Sequence, residues 1–222
     1  MTLEDAIKAR RSIRKFEDKP ISDALKTILE EKIAEINDKT GLHIQLITNK
    51  PEAFQSFLSH YGGFENAVNY IALVGKKSAF LDEMCGYYGE QLVLLAQQIG
   101  LSTCWVGGTF NRRGSFYACE KDEKLCLIIA VGYAAEDGKV HKSKERDQIT
   151  KAGEDAPDWF WKGVDAALLA PTAINQQKFL LTLTENGKVT AKAGMGPFSK
   201  VDLGIVKYHF EIGSGKGKEI WN

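Results

Sequence analysis

The sequence predicts an α+β fold arranged as two related parts, and three observations carry that expectation. Segments with apolar residues at three- and four-residue spacing, the helical period, alternate with short runs that are continuously apolar or alternate in twos. Turn-forming residues punctuate the boundaries. A pattern of helix, strand and long apolar helix closed by glycine occurs twice, the two closing residues being Gly100 and Gly213. Such an echo suits an internal duplication, and a mixed chain can also show one by chance.

Taken in order, residues 2–9 read as a helix with Thr2 as N-cap and Asp5 three positions on, an acidic form of the capping box. A basic stretch, Arg10-Arg11-Ser12-Ile13-Arg14-Lys15, follows. Ser22 is placed to cap a helix over 22–38, whose Leu25, Ile28, Leu29, Ile33 and Ile36 form one stripe and which Gly41 stops. Residues 43–48 alternate as a strand, and a short helix is expected near 51–60. A strand over 69–75 precedes a helix over 81–99, with Tyr88, Leu92, Leu95 and Ile99 on one face. Thr103–Val106 and Leu125–Gly132 are further strands. Beyond the polar stretch 136–155, Asp158 is placed to cap a helix reaching Leu169. Asn186-Gly187 then turns a hairpin between strands 179–184 and 189–193. The helix 198–212 is apolar on two faces and is expected to be deeply buried.

The 222 residues are room for one domain over 1–222, with candidate halves 1–150 and 151–222. Twenty-nine cations balance twenty-nine anions, so the net charge is zero. Nucleic-acid binders rely on a basic excess to neutralise phosphates, so no nucleic-acid partner is expected. The longest apolar stretch, 125–135, falls short of the ~18 residues that a membrane span needs. An acidic N-terminal sequence is unlike a secretory signal, so the expectation is a cytoplasmic protein with no membrane partner. Cys85, Cys104, Cys119 and Cys126 form no C-x-x-C pair and lie far from the histidines. They read as reduced, buried thiols rather than metal ligands, and no metal is expected.

Three segments could carry chemistry. Arg10, Arg11 and Arg14 around Ser12 suit a phosphate grip, because guanidinium forks match phosphate oxygens and a hydroxyl adds a further bond. A solvated basic turn is the plainer reading. In Pro171-Thr172-Ala173-Ile174-Asn175-Gln176-Gln177, small residues would admit a flat ligand to the backbone. Asn175 and Gln177 each offer a donor and an acceptor suited to an imide edge, although a helix-to-strand turn would also explain the segment. Val106-Gly107-Gly108 closes a strand with residues that allow close approach to main-chain N–H groups. Tyr61, Phe64 and Trp105 are candidate pocket aromatics, and core packing accounts for each equally well.

Together these segments resemble the FMN-dependent nitroreductase family. Residues 6–16 are similar to its opening signature, Pro171–Gln177 to its Pro-Ser-x-x-Asn-x-Gln segment, and Gly100–Gly108 to its later cofactor segment. Leu127–Tyr133 followed by Lys144-Glu145-Arg146 resembles its closing strand and basic stretch. The resemblance implies a mainly antiparallel central sheet flanked by helices, bound FMN, NADH or NADPH as electron donor, and a small-molecule acceptor such as a nitroaromatic or quinone in a ping-pong cycle. It places Arg10, Ser12 and Arg14 at the FMN phosphate, ribityl chain and pyrimidine edge, with Arg11 beside them. Lys144 and Arg146 fall at the phosphate. Pro171, Thr172, Ala173, Asn175 and Gln177 lie against the flavin, and Val106, Gly107 and Gly108 near its reactive nitrogen. No side chain is implied as catalytic, since the flavin carries the chemistry.

Two departures from the family pattern stand out. The Pro171 segment comes late in the chain rather than after the second helix, and Gln177-Lys178-Phe179 stands where Gln-Pro-Trp is usual. The rearranged order marks a divergent branch. Each cofactor motif occurs once, so one chain is expected either to act as a pseudo-dimer with a single FMN or to form a homodimer. The alternative to an enzyme is a non-catalytic FMN-binding or regulatory protein of the same fold.

Overall fold

The computed structural model describes residues 1–55, 62–153 and 155–222. The chain is α+β and divides into two compact units whose segments interleave rather than follow one another as 1–150 and 151–222. One unit comprises residues 10–81 and 92–140, the other residues 1–9, 82–91 and 141–222. The last of the crossings between them, at 140/141, falls inside the polar stretch 136–155.

The first unit is built on a four-stranded antiparallel sheet in the order β1-β2-β4-β3. Its strands are β1 (Gln45–Ile47), β2 (Tyr70–Lys76), β3 (Ser102–Val106) and β4 (Glu123–Gly132). Strand β2 is apolar at nearly every position because it is a central strand covered on both faces, Tyr70 to Val74 being fully buried. Phe16, Tyr70, Ala72, Val106, Ile128 and Ala130 belong to one packed core. Helix α2 (Asp23–Thr40) ends where the sequence places its stop, with Gly41 at φ 70° and its N–H donating to Asn37 O. Ser22 occupies the N-cap, although its side chain makes no capping hydrogen bond. Of the helix expected near 51–60, a 3₁₀ turn at Pro51–Phe54 is observed, and the remainder lies outside the described residues.

The second unit opens with α1 (Leu3–Ala9). Its capping box is reciprocal: Asp5 N donates to Thr2 Oγ1 and Thr2 N to Asp5 Oδ2, each at 3.1 Å. A three-stranded sheet in the order β5-β6-β7 combines β5 (Thr150–Lys151), β6 (Phe179–Leu183) and β7 (Val189–Ala193). Strands β6 and β7 form the expected hairpin, with Gly187 at φ 73°. Residues 150–151, unassigned from sequence, add a short parallel edge.

Helices α4 (Asp158–Leu168) and α5 (Ser199–Ser214) also belong to this unit, together with residues 82–91 of α3 (Leu81–Gln98). Pro157, not Asp158, is the N-cap of α4, because a proline in extended conformation immediately before a helix already supplies the entry geometry. The two apolar faces of α5 bury Val201, Leu203, Ile205, Val206 and Phe210. That helix passes through Gly213 and ends at Gly215, which is left-handed at φ 64°. Gly213 instead permits close packing, since a Cβ there would lie 2.4 Å from Ala166 Cβ. The same device recurs against α3: a Cβ on Gly204 would lie 2.0 Å from Glu83 O, and one on Gly86 would lie 2.0 Å from Val201 O.

Candidate functional site

In the four-stranded unit the basic segment lies extended beside β3. Ile13 N donates to Thr103 O at 3.0 Å, Phe16 N to Glu65 O at 3.0 Å, and Ala135 N to Lys15 O at 2.9 Å. Ser12 forms a parallel bridge with Thr103. Ile13 and Phe16 enter the core, and this burial fixes the register and the direction of the residues between them. Arg10 is buried, Ser12 half-buried and Arg14 exposed, so the three form a graded polar edge.

All three bear on the electrostatics of one buried thiol, that of Cys104. Burial raises its pKa, while the Arg14 and Arg10 guanidinium groups and a hydrogen bond with Ser12 act in the opposite sense. Arg10, Ser12 and Arg14 thus lie along one extended segment that borders β3. The Arg14 main-chain N–H is held by Glu136 Oε1 at 3.3 Å. Arg11 turns onto its own chain, donating to Arg10 O at 2.8 Å. Strand β3 ends at buried Val106, half-buried Gly107 and exposed Gly108. A Cβ on Gly108 would meet nothing within 4 Å, so the main chain there is open to approach.

In the three-stranded unit, residues 171–177 leave buried Pro171 and enter a 3₁₀ turn. The turn holds Ile174 at φ 48° and Asn175 at φ 54°, and Gln177 follows at φ 43°. Left-handed backbone costs a non-glycine residue about 1–3 kcal/mol, and most for a β-branched one such as isoleucine. The segment persists because its surroundings over-determine it. Gln177 N donates to Thr172 Oγ1 at 3.0 Å, and the Gln177 amide donates to Asn175 Oδ1 at 2.9 Å and to Lys142 O at 2.8 Å. Asn175 Nδ2 donates to Lys142 O at 2.8 Å. Lys144 N donates to Gln177 Oε1 at 2.9 Å, and its ammonium to Gln177 O at 3.0 Å.

The structure thus joins Thr172, Asn175, Gln177 and Lys144 in one network. The two amides expected to face an imide edge are turned inward, where they hold the segment's shape, while Ile174 stands 89 % exposed at its apex. Arg146 lies outside this network. It forms a fork with Asp165 of α4 at 2.7 and 2.6 Å, and its guanidinium lies 5.5 Å from the centroid of the Trp161 ring.

Two residues with no sequence-based assignment complete the network. Asp202 of α5 accepts from Ala173 N at 3.0 Å and from Gln176 Nε2 at 2.7 Å. Burial pushes its carboxyl up to about 6, against the opposing effect of those two hydrogen bonds. Gln176 Nε2 also donates to Pro197 O at 2.8 Å. The available signal was a lone carboxylate between the apolar residues Val201 and Leu203, because a buried charge requires partners.

Other candidates resolve differently. Phe64 packs on the core against Phe54, their ring centroids 5.0 Å apart, and Trp105 is half-buried on β3. Tyr61 lies outside the described residues. Cys85 and Cys104 are buried as expected, whereas Cys119 is exposed in the segment before β4 and Cys126 is half-buried at the register shift of β4 against β2. His43 Nδ1 lies 2.9 Å from Glu123 Oε2, and fully buried His209 Nε2 lies 2.8 Å from Glu90 Oε1. A groove of ≈ 730 Å³ near Trp159, Lys188 and Lys216 includes none of the assigned residues in its lining. No described helix is long and apolar enough to cross a membrane.

Comparison with known proteins adds an independent finding. Residues 2–214 match the family described as "Putative TM nitroreductase". A solved structure described as a putative nitroreductase from Thermotoga maritima MSB8 is 23 % identical, with TM-score 0.69, over 96 % of this chain and 83 % of that one. A structure described as a putative nitroreductase in complex with FMN, from Desulfovibrio desulfuricans, is 19 % identical, with TM-score 0.55, over 71 % of this chain and 99 % of its own. A nitroreductase family protein of Streptococcus pneumoniae TIGR4 is 16 % identical, with TM-score 0.55, over 68 % and 100 %. At these identities the likeness is one of fold. No curated protein sequence matches.

Proposed function

Given that the chain belongs to the putative nitroreductase family matched over residues 2–214, we propose that it is an FMN-dependent oxidoreductase. It takes electrons from NADH or NADPH and delivers them to a small acceptor, a nitroaromatic, a quinone or a similar compound. The observation that carries this reading is the extended segment Arg10–Arg14, bridged by Ser12 to Thr103 and lying along the glycine-terminated strand β3. Cations of graded burial and a hydroxyl suit a dianionic phosphate and its polar chain, and the open backbone at Gly108 suits a planar ring. The residues present therefore fit FMN.

In this reading Arg10, Ser12 and Arg14 hold the phosphate, ribityl chain and pyrimidine edge. The positive charge of Arg10 and Arg14 favours the electron-rich form of the cofactor. The family resemblance also assigns Lys144 and Arg146 to the phosphate; in this chain the Lys144 ammonium donates to Gln177 O and Arg146 forms a fork with Asp165. Pro171, Thr172 and Ala173 present backbone and small side chains to the ring, while Asn175 and Gln177 keep that segment in shape. Val106, Gly107 and Gly108 border the reactive edge. FMN, when bound, supplies the electron transfer. The protein excludes water, orients the ring and receives donor and acceptor in turn, with solvent as the proton source. The cytoplasm is the proposed location.

The test is FMN titration of the purified protein followed by flavin fluorescence. Saturable binding is the expected result, and absence of binding would overturn the proposal. Binding without reduction by either nicotinamide would favour a non-catalytic flavoprotein.

A further inference from the structure

The segment 171–177 does not hold its shape by local hydrogen bonds alone. Its own amides bond to one another and to residues 142–144, and these bonds fix Asn175 and Gln177. They do not reach the N–H of Ala173, the residue entering the left-handed turn, nor the side chain of Gln176. Both are held from α5 by a single carboxylate. Asp202 Oδ1 takes the Ala173 N–H at 3.0 Å, and Asp202 Oδ2 takes Gln176 Nε2 at 2.7 Å. The two bonded positions flank Ile174 and Asn175, so the carboxylate spans the strained turn.

The same amide reaches a second loop. Gln176 Nε2 donates to Pro197 O at 2.8 Å, and Gly196 lies so close that a Cβ there would sit 2.2 Å from Gln176 Oε1. That loop ends in another left-handed residue, Phe198 at φ 56°, and carries Met195 with its side chain almost fully exposed. Ile174 is similarly bare. One buried carboxylate therefore links two strained loops, each presenting a large apolar side chain to solvent. Strained left-handed residues persist where their surroundings over-determine them, and they cluster at ligand clamps and switch regions.

We propose that Asp202 is the positioning residue of the cofactor-facing segment. Acting through Ala173 N–H and Gln176, it holds residues 172–177 in the strained conformation that receives the flavin and ties loop 194–198 to them. An ionised carboxylate does this better than a neutral group because it accepts both bonds at once, each charge-assisted. Ligand contact remains with the segment itself, and Asp202 touches only the groups that shape it. The functional consequence rests on the FMN reading, whereas the positioning does not.

The test separates the two. Residue-resolved amide hydrogen exchange on the full chain without added flavin reads the positioning, and FMN titration reads its consequence. In Asp202→Ala the Ala173 amide should exchange about tenfold faster or more, while α5 keeps its protection. In Asp202→Asn the remaining oxygen still accepts from Ala173, so that amide should stay protected while the Gln176 contact is lost. FMN affinity should fall about tenfold in Asp202→Ala and less in Gln176→Ala, and the double variant should be no weaker than Asp202→Ala alone. Unchanged Ala173 exchange in Asp202→Ala would overturn the positioning role. Loss of protection throughout α5 in both Asp202 variants would also overturn it, since the residue would then serve only the helix. Wild-type FMN binding that neither variant alters would overturn the link to the cofactor. A wild type that binds no FMN would overturn the proposed function, and the exchange results would still decide the positioning.

Discussion

At the scale of single residues, the amides of Asn175 and Gln177 are committed to the protein's own groups. Arg10 and Arg14 flank Ser12 and act together on one thiol. Replacing both arginines by alanine should weaken FMN binding about a hundredfold, as expected for losing two charged hydrogen-bond donors, measured by flavin fluorescence titration. Unchanged affinity would remove these residues from the site. Asp202 has a separate signature. Its carboxyl is raised to about 6 from an ordinary value near 3.8. Its contribution to stability is thus fully present below about pH 4 and lost as pH rises through about 6, amounting to on the order of 3 kcal/mol at most. Denaturant unfolding at pH 4 and pH 7 should show this slope in the wild type and a flatter one in Asp202→Asn. Parallel slopes would show that the carboxyl is not perturbed in this way.

The same scale shows where sequence reasoning stops. Asn175 and Gln177 were legible as members of a special segment from residue type and position. Their inward orientation was not, because it depends on Lys142 and Lys144, more than thirty residues away in sequence. Arg146 was legible as a cation near a phosphate motif, but its fork with Asp165 follows from the packing of α4.

At the scale of elements, periodicity located most helices and strands, because each buries one or two well-defined faces. It misplaced the end of α5 at Gly213, since a glycine can either close a helix or let a neighbour approach, and sequence alone does not separate the two uses. The structure separates them by geometry. Gly204→Ala would bring a methyl group to 2.0 Å from the Glu83 carbonyl oxygen, where no flexible side chain can yield. It should cost about 1–3 kcal/mol or more in unfolding free energy, as overpacking does. Gly215→Ala meets nothing within 4 Å and should cost about 1 kcal/mol, from the left-handed backbone alone. Equal effects for the two substitutions would contradict the assigned roles. The strand order β1-β2-β4-β3 was not legible, because pairing is decided between segments far apart in the chain.

At the scale of the molecule, the net charge is zero, while cations gather locally along residues 10–15. Of the segments that resemble the family's cofactor signature, Arg10–Arg14 and Val106–Gly108 belong to one unit, and Lys144 and residues 171–177 to the other. Each signature occurs once per chain, so sedimentation equilibrium combined with flavin quantitation should find one FMN per chain. A monomer at that stoichiometry would fit the pseudo-dimer, and a dimer the alternative. The central claim is that this chain uses FMN to move electrons. Anaerobic mixing of the FMN-loaded protein with NADH and then with NADPH tests it most directly. Bleaching of the flavin's visible absorbance by at least one of them, with recovery when a quinone or nitroaromatic is added, is the predicted result. A bound flavin that neither nucleotide bleaches would contradict it.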